Sequence, residues 1–187
     1  MPEKSQNILN DSDILDIFYQ EDRKEYAFTL LVHKYNERLY WHIRKMVDSH
    51  EDTNDLLQMV FIKIWKYLPD FRRDSQLYTW IYRIATNETL TFLKKKNINN
   101  LLSFDSLKNN SSNYKADPYF NGDKLQLELQ RQIMSLPPKQ RAVFNLRYFQ
   151  EMKYEEIAKI LDTSEGALKA SYHHAYQKIK KNLEQLF

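Results

Sequence analysis

The residues best suited to chemistry lie near the end of this 187-residue chain. The segment Tyr154-Glu-Glu-Ile-Ala-Lys-Ile-Leu-Asp-Thr-Ser-Glu-Gly-Ala-Leu-Lys-Ala-Ser171 reads as two helices joined by a very short turn. Ala158 is small enough for a close crossing, and Ile157, Leu161 and Leu168 can lock its angle. A helix-turn-helix of this kind pushes the N-terminal half of its second helix into a DNA major groove, which just admits an α-helix. The outward positions there are Lys169, Ala170, Ser171, His173, His174 and Gln177, with Lys178 and Lys181 further along. The first group could meet base edges and the last two phosphates. A plain helical hairpin with a solvated face is the competing reading of this segment alone.

A second constellation spans residues 72–87. Arg72 and Arg73 precede Tyr78, Tyr82, Arg83 and Asn87. Cations interleaved with aromatic rings suit single-stranded nucleic acid, because rings stack on bases while Arg meets phosphate. An unrelated aromatic-rich surface is the alternative for this segment alone. A third feature is the outer face of the helix before it. Asp55, Gln58, Met59, Ile62 and Lys66 lie off its main apolar stripe, and apolar Met and Ile among polar residues suit a protein partner. Burial on two sides within its own domain is the alternative. His173 and His174 are adjacent and diverge on a helix, so they make a poor metal pair. His33, His42 and His50 lack any metal-binding context, and no acidic spacing marks a catalytic carboxylate pair.

Composition removes other classes of function. The chain has 2 Gly and 5 Pro, far below the average of about 7% and 5%. Two distant glycines, Gly122 and Gly166, exclude a Rossmann fingerprint, a Walker loop and a nucleophile elbow. With 0 Cys there is no disulfide, thiolate zinc site or cysteine nucleophile. Charges interrupt every apolar stretch short of a membrane span, and the polar N-terminus lacks the run of a signal peptide. The net charge is mildly basic, +3. These features describe a cytoplasmic protein without membrane insertion.

Long helices must position these groups. Ala27, Leu31, Tyr35, Leu39, Ile43 and Val47 recur every four residues and predict a helix from about Lys24 to Val47. Leu56, Leu57, Val60, Phe61, Ile64, Trp65 and Leu68 form the stripe of the next, with Asp52 or Thr53 as its cap and Pro69 at its end. A third runs to about Lys96 with Leu77, Trp80, Ile81, Ile84 and Ala85 inward, and Lys94, Lys95 and Lys96 at its dipole-favoured end. Residues 1–22 read as a loose arm or a short first helix. Residues 97–122 are rich in Asn and Ser and read as a flexible linker. Four further helices follow from 123. Leu125, Leu129, Ile133 and Leu136 face inward in the first, and Pro137-Pro138 begins the second. The fold class is all-α, with small helical domains at 1–96 and 123–187.

Asp55-Leu-Leu-Gln-Met-Val-Phe-Ile-Lys-Ile-Trp65 followed by Thr79-Trp-Ile-Tyr-Arg-Ile-Ala-Thr-Asn87 resembles region 2 of sigma-70-type RNA polymerase sigma factors. Leu136-Pro-Pro-Lys-Gln-Arg-Ala-Val-Phe144 and the helix-turn-helix resemble region 4. Two such regions joined only by a linker are similar to the extracytoplasmic-function (ECF) subfamily. The resemblance implies a non-enzymatic transcription initiation factor that needs no cofactor or metal. It implies core RNA polymerase, promoter DNA and an anti-sigma factor as partners. Asp55, Leu56, Gln58, Met59 and Ile62 would then meet polymerase. Arg72, Arg73, Tyr78, Tyr82, Arg83 and Asn87 would meet the unpaired −10 element. Lys169, Ala170, Ser171, His173, His174, Gln177, Lys178 and Lys181 would meet the −35 duplex. Ser171, His174 and Tyr176 stand where the family often has arginines, so direct guanine readout is reduced. A helix-turn-helix regulator with an N-terminal sensing or dimerisation domain is the alternative.

Overall fold

Apolar residues four apart need a helix with one buried edge, and the computed structural model contains it. Helix α2 (Lys24–Arg44) buries Ala27, Leu31, Tyr35, Leu39 and Ile43. The structure describes residues 9–102 and 124–185. Helices α1 (Asp11–Phe18), α3 (His50–Tyr67) and α4 (Leu77–Leu102) complete the N-terminal half. Helices α5 (Lys124–Met134), α6 (Pro138–Tyr148), α7 (Tyr154–Leu161) and α8 (Glu165–Glu184) make the C-terminal half. The described residues contain no strand.

Of the two readings of residues 1–22, the short helix forms at 11–18. The Asn10 side chain accepts from the Asp13 amide at 2.9 Å, and the Asp13 carboxylate accepts from the Asn10 amide at 3.0 Å. This reciprocal cap satisfies amides that a helix start leaves unpaired. Ile14, Leu15 and Phe18 then bury against the core. Helix α3 starts three or four residues earlier than Asp52 or Thr53 as caps would allow. Ser49 is the cap, with its hydroxyl accepting from the Asp52 amide at 3.2 Å, and Thr53 is buried inside the first turn.

Helix α4 runs past Lys96 to Leu102, because neither Pro nor Gly interrupts it. Lys94, Lys95 and Lys96 are therefore not at a helix terminus. Lys96 bridges to Asp52 at 2.8 Å and Asp48 at 3.6 Å, which ties α4 to the start of α3. The residues assigned to the linker from 103 onward lie outside the described residues.

The inward stripes are mostly as the spacing predicts, with exceptions that have simple causes. Trp65 is 41% exposed, its ring edge-on to Phe28 and Phe18 at the rim of the core. Trp80 is half-buried beside Phe71, and Leu125 is exposed near the start of α5. The other stripe residues of α3 and α4 pack inward, including Val60, Ile64, Leu77, Ile81 and Ala85.

The halves share one continuous core. Val143, Leu146, Met152, Ile157, Ile160 and Leu168 join the cluster formed by α1 to α4, while Ile133, Leu136, Phe144, Ala175 and Ile179 form a smaller one. Arg141, buried on α6, donates to the carbonyl of Met46 beyond α2 and to those of Met134 at the end of α5 and Leu136 just past it. Chain ends of helices leave such carbonyls unpaired, and a cation is favoured there. Lys45 lies 4.2 Å from the Phe149 ring centroid, a further polar link between the halves.

His42 is fully buried between α2 and α4, with Nε2 hydrogen-bonded to Thr86 Oγ1 at 2.9 Å. Burial, reinforced by the positive charge of Lys45, pushes its pKa down to about 3. The folded chain thus keeps His42 neutral while the unfolded chain binds a proton below about 6.5. Its contribution is complete above that pH and falls as pH drops towards 3. We expect urea unfolding to show about 1 kcal/mol less stability at pH 5.5 than at pH 7 from this residue. His42→Gln should lack that part of the slope; an identical slope in the variant would contradict it.

Candidate nucleic-acid interface

The turn of the helix-turn-helix rests on two local features. Asp162 takes the left-handed conformation at φ 49°, which ends α7 after Leu161. Ser164 caps α8, its hydroxyl accepting from the Ala167 amide at 3.4 Å. Ile157, Ile160 and Leu168 are buried at the junction, and Ala158 and Leu161 are half-buried. Leu168 turns the first part of α8 so that its other faces point outward.

Those faces carry two neighbouring stripes. Lys169, His173, Gln177 and Lys181 recur every four residues along one, and Ala170, His174 and Lys178 along the next. All seven are exposed. Ser171 is half-buried, and its carbonyl accepts from the Gln140 side chain at 3.4 Å, so it belongs to the seam with α6. Lys169 sits 3.4 Å from Glu165 and 5.6 Å from the Tyr154 ring centroid, which steadies its long stem at the tip of the helix. Lys178 donates to the Ser135 carbonyl at 3.4 Å. Glu165 is exposed in the first turn of α8, a position that residue type alone did not single out.

Region 72–87 is divided by the fold. Arg72, Arg83 and Asn87 are exposed, with Arg83 and Asn87 one turn apart on α4. Arg73 is also exposed, with its backbone left-handed at φ 58°. Tyr78 is half-buried, at a cavity of about 340 Å³ between the halves lined also by Lys34, Tyr35, Arg38 and Gln150. Tyr82 does not belong to the open surface. Its relative exposure is 0%, its hydroxyl donates to Gln150 Oε1 at 2.5 Å, and its ring meets His42 edge-on. Burial raises the Tyr82 hydroxyl above its ordinary pKa. The physical reason is helical phase. Position 82 lies about 100° from 83, on the side of α4 that α6 and α7 cover.

The outer face of α3 is open. Asp55, Gln58, Met59 and Ile62 are exposed, and Met59 and Ile62 reach 47% and 53%. They stand three apart and form one apolar strip among polar residues. The alternative of burial on two sides does not hold for this face. Leu56 is the exception in the group, 6% exposed and part of the core, because it shares the inward stripe with Val60 and Ile64.

The described residues contain no group of three or more acidic or histidine side chains placed to hold a metal. No helix among them is long and apolar enough to cross a membrane.

Three comparisons bear on these surfaces. Residues 31–98 match the family model for Sigma-70 region 2, and residues 126–179 match that for Sigma-70, region 4. The ECF RNA polymerase sigma-E factor of Escherichia coli K12 is 30% identical over 190 residues, covering 95% of this chain and 96% of the relative. The sigma-E factor of Haemophilus influenzae is 29% identical over 188 residues, covering 95% and 97%. ECF sigma factor SigW of Bacillus subtilis is 28% identical over 169 residues, covering 86% and 90%. In fold, the chain is similar to RpoE of Bartonella quintana, solved with the anti-sigma factor NepR, at a TM-score of 0.72 and 21% identity over 84% of this chain and 96% of that one. It is also similar to CnrH, solved with the cytosolic domain of CnrY, at 0.67 and 21% over 94% and 99%. The region 2 match contains the open face of α3 and the divided face of α4, and the region 4 match contains the helix-turn-helix. With both regions present in order and a relative 30% identical from end to end, the chain belongs to the extracytoplasmic-function subfamily of sigma-70 RNA polymerase sigma factors.

Proposed function

We propose that three separate faces of this sigma factor divide its work. Asp55, Gln58, Met59 and Ile62 bind core RNA polymerase. Arg72, Arg73, Arg83 and Asn87 hold the unpaired −10 strand, with Tyr78 at the edge of that surface. Lys169, Ala170, His173, His174 and Gln177 read the −35 duplex, and Lys178 and Lys181 meet its phosphates. The observation that carries this reading is the exposure of all three faces on one chain, each built from a different helix. Leu56 and Tyr82 act in packing and leave the contacting sets. The protein works in the cytoplasm, with no reaction of its own, and an anti-sigma factor holds it there until a signal releases it.

Physical arguments support each assignment. An apolar strip ringed by polar groups suits a protein partner. Arg83 and Asn87, one turn apart, offer donors for phosphate and for a base edge on one line. The early outward residues of α8 are exposed, as those of a helix entering a groove must be, and its late lysines stand further along, where such a helix passes the backbone. Without an arginine among the early outward positions, Lys169 and the two histidines carry the base contacts. Specificity for the upstream element is therefore softer than a bidentate Arg–guanine pair would give.

Transcription in vitro with core polymerase on genomic DNA of the host, with and without this chain, is the direct test. New start sites that depend on the chain are expected. Asp55→Ala with Gln58→Ala should weaken polymerase binding while circular dichroism stays unchanged. Full binding by that variant would return the face to ordinary surface.

The two ends of α8 should separate in promoter selection. Lys169→Ala or His174→Ala should change which upstream sequences are used, by about 1–3 kcal/mol for a good base contact. Lys181→Ala should weaken all sequences alike and reduce the salt slope of log K by about 0.9. The assignment fails if Lys181→Ala alters preference while Lys169→Ala only rescales affinity.

A further inference from the structure

Helix α1 lies outside the matched region 2 segment, yet it touches the loop that opens the DNA-facing surface. Two of its side-chain contacts converge on residues 71–73. The Tyr19 hydroxyl, just past the helix end, donates to the Phe71 carbonyl at 2.8 Å. Asp16 accepts from Arg73 Nη2 at 2.6 Å. The Arg73 guanidinium carbon lies 5.4 Å from the centroid of the Tyr19 ring.

The backbone beneath this contact is unusual. Arg73 sits at φ 58°, a region that residues with a Cβ seldom adopt unless neighbours hold them there. The neighbours here are anchored. Ile14, Leu15 and Phe18 fix α1 in the core, and Phe71 is buried against Trp80. Tyr19 and Asp16 therefore approach Arg73 from a rigid base.

We propose that Tyr19 and Asp16 form a seat that orients Arg73 towards the unpaired promoter strand, and so are positioning residues for −10 recognition. The proposal rests on the assignment of Arg73 to that strand. Asp16 takes the hydrogen of one terminal nitrogen, and the Tyr19 ring supports one face of the guanidinium. Arg73 remains exposed in this seat, and Asp16 occupies only one of its terminal nitrogens, which leaves other donors of the fork for a phosphate or a base edge. An arginine held in this way loses less freedom on binding than one on an open loop.

A mutant cycle on holoenzyme separates orientation from charge and from loop collapse. The full-length chain and its variants are assembled with core RNA polymerase. Binding is measured to a fork DNA taken from a promoter that the holoenzyme uses, with its −10 segment single-stranded. Arg73→Ala should weaken binding; no change would remove Arg73 from the strand-binding set and overturn both readings. With Arg73 present, Tyr19→Leu should weaken binding roughly two- to fivefold, the size of an exposed cation–π contact. In the Arg73→Ala background, Tyr19→Leu should have little effect. Equal loss in both backgrounds would mean that Tyr19 only holds the loop together, and the seat would be rejected while the strand assignment stood. Asp16→Asn removes a negative charge near DNA in both backgrounds, so only the difference between them reports orientation. That difference should show Asp16 helping Arg73. A variant that binds more tightly only when Arg73 is present would make Asp16 a competitor of phosphate and overturn the seat.

Discussion

Helix α4 packs on two sides at once, and the arrangement of every surface depends on this. One side meets α2 and α3 through Leu77, Ile81, Ala85 and the His42–Thr86 hydrogen bond. Another lies under α6 and α7, where Tyr82 reaches Gln150. A helix with two buried sides has only a narrow outward sector left, and Arg83 and Asn87 occupy it. Burying the His42 imidazole beside α4 and the Tyr82 phenol between the halves is tolerable because His42 Nε2 meets Thr86 and the Tyr82 hydroxyl meets Gln150. An unpaired buried polar group would cost on the order of 1–3 kcal/mol. Arg141 meets the same requirement on a larger scale, spending its donors on carbonyls from both halves.

The three faces differ in how rigidly they are held. The α3 strip stands on a long helix whose opposite side is in the core, so Met59 and Ile62 are presented without any loop. The α8 stripes are similarly fixed, with Leu168, Ala175 and Ile179 buried behind them. Of the three proposed faces, the one that includes the 71–76 loop alone relies on a segment between helices, and α1 braces it. That difference suits the tasks. Duplex and protein partners arrive with their own shape, whereas an unpaired strand must be caught and held, and a pre-oriented loop lowers the ordering cost of doing so.

Close packing of the halves has a consequence for promoter reading. The covered side of α4 carries Tyr82 fully and Tyr78 in part. The exposed surface of α4 and the 71–76 loop is therefore cationic and amide-bearing, with Tyr82 and Tyr78 withdrawn towards Gln150. Stacking on bases, a common source of single-strand affinity, is the contribution most reduced by the closed packing.

Much of this was legible in the amino-acid order alone. A four-residue apolar repeat has only one economical solution, so α2 and α3 and most of their buried stripes could be read directly, as could the short turn between the last two helices and the outward positions of the second. The chemistry of Lys169, Met59, Ile62, Arg83 and Asn87 followed from residue type and helical phase. Phase within one helix cannot show what covers its second side, which is why Tyr82 looked available, whereas the burial of Leu56 follows its place on the inward stripe and only the family resemblance set it at the surface. The extension of α4 past Lys96 was hidden because Asn-rich sequence is compatible with both linker and helix, and the Lys96 bridges to Asp48 and Asp52 are long-range contacts. The brace from α1 to Arg73 joins residues 57 apart in the chain, and its left-handed backbone has no marker in residue type, since glycine is absent there. Local order determined the helices and their chemical faces. Tertiary packing decided which faces reach solvent, because exposure depends on neighbours distant in sequence.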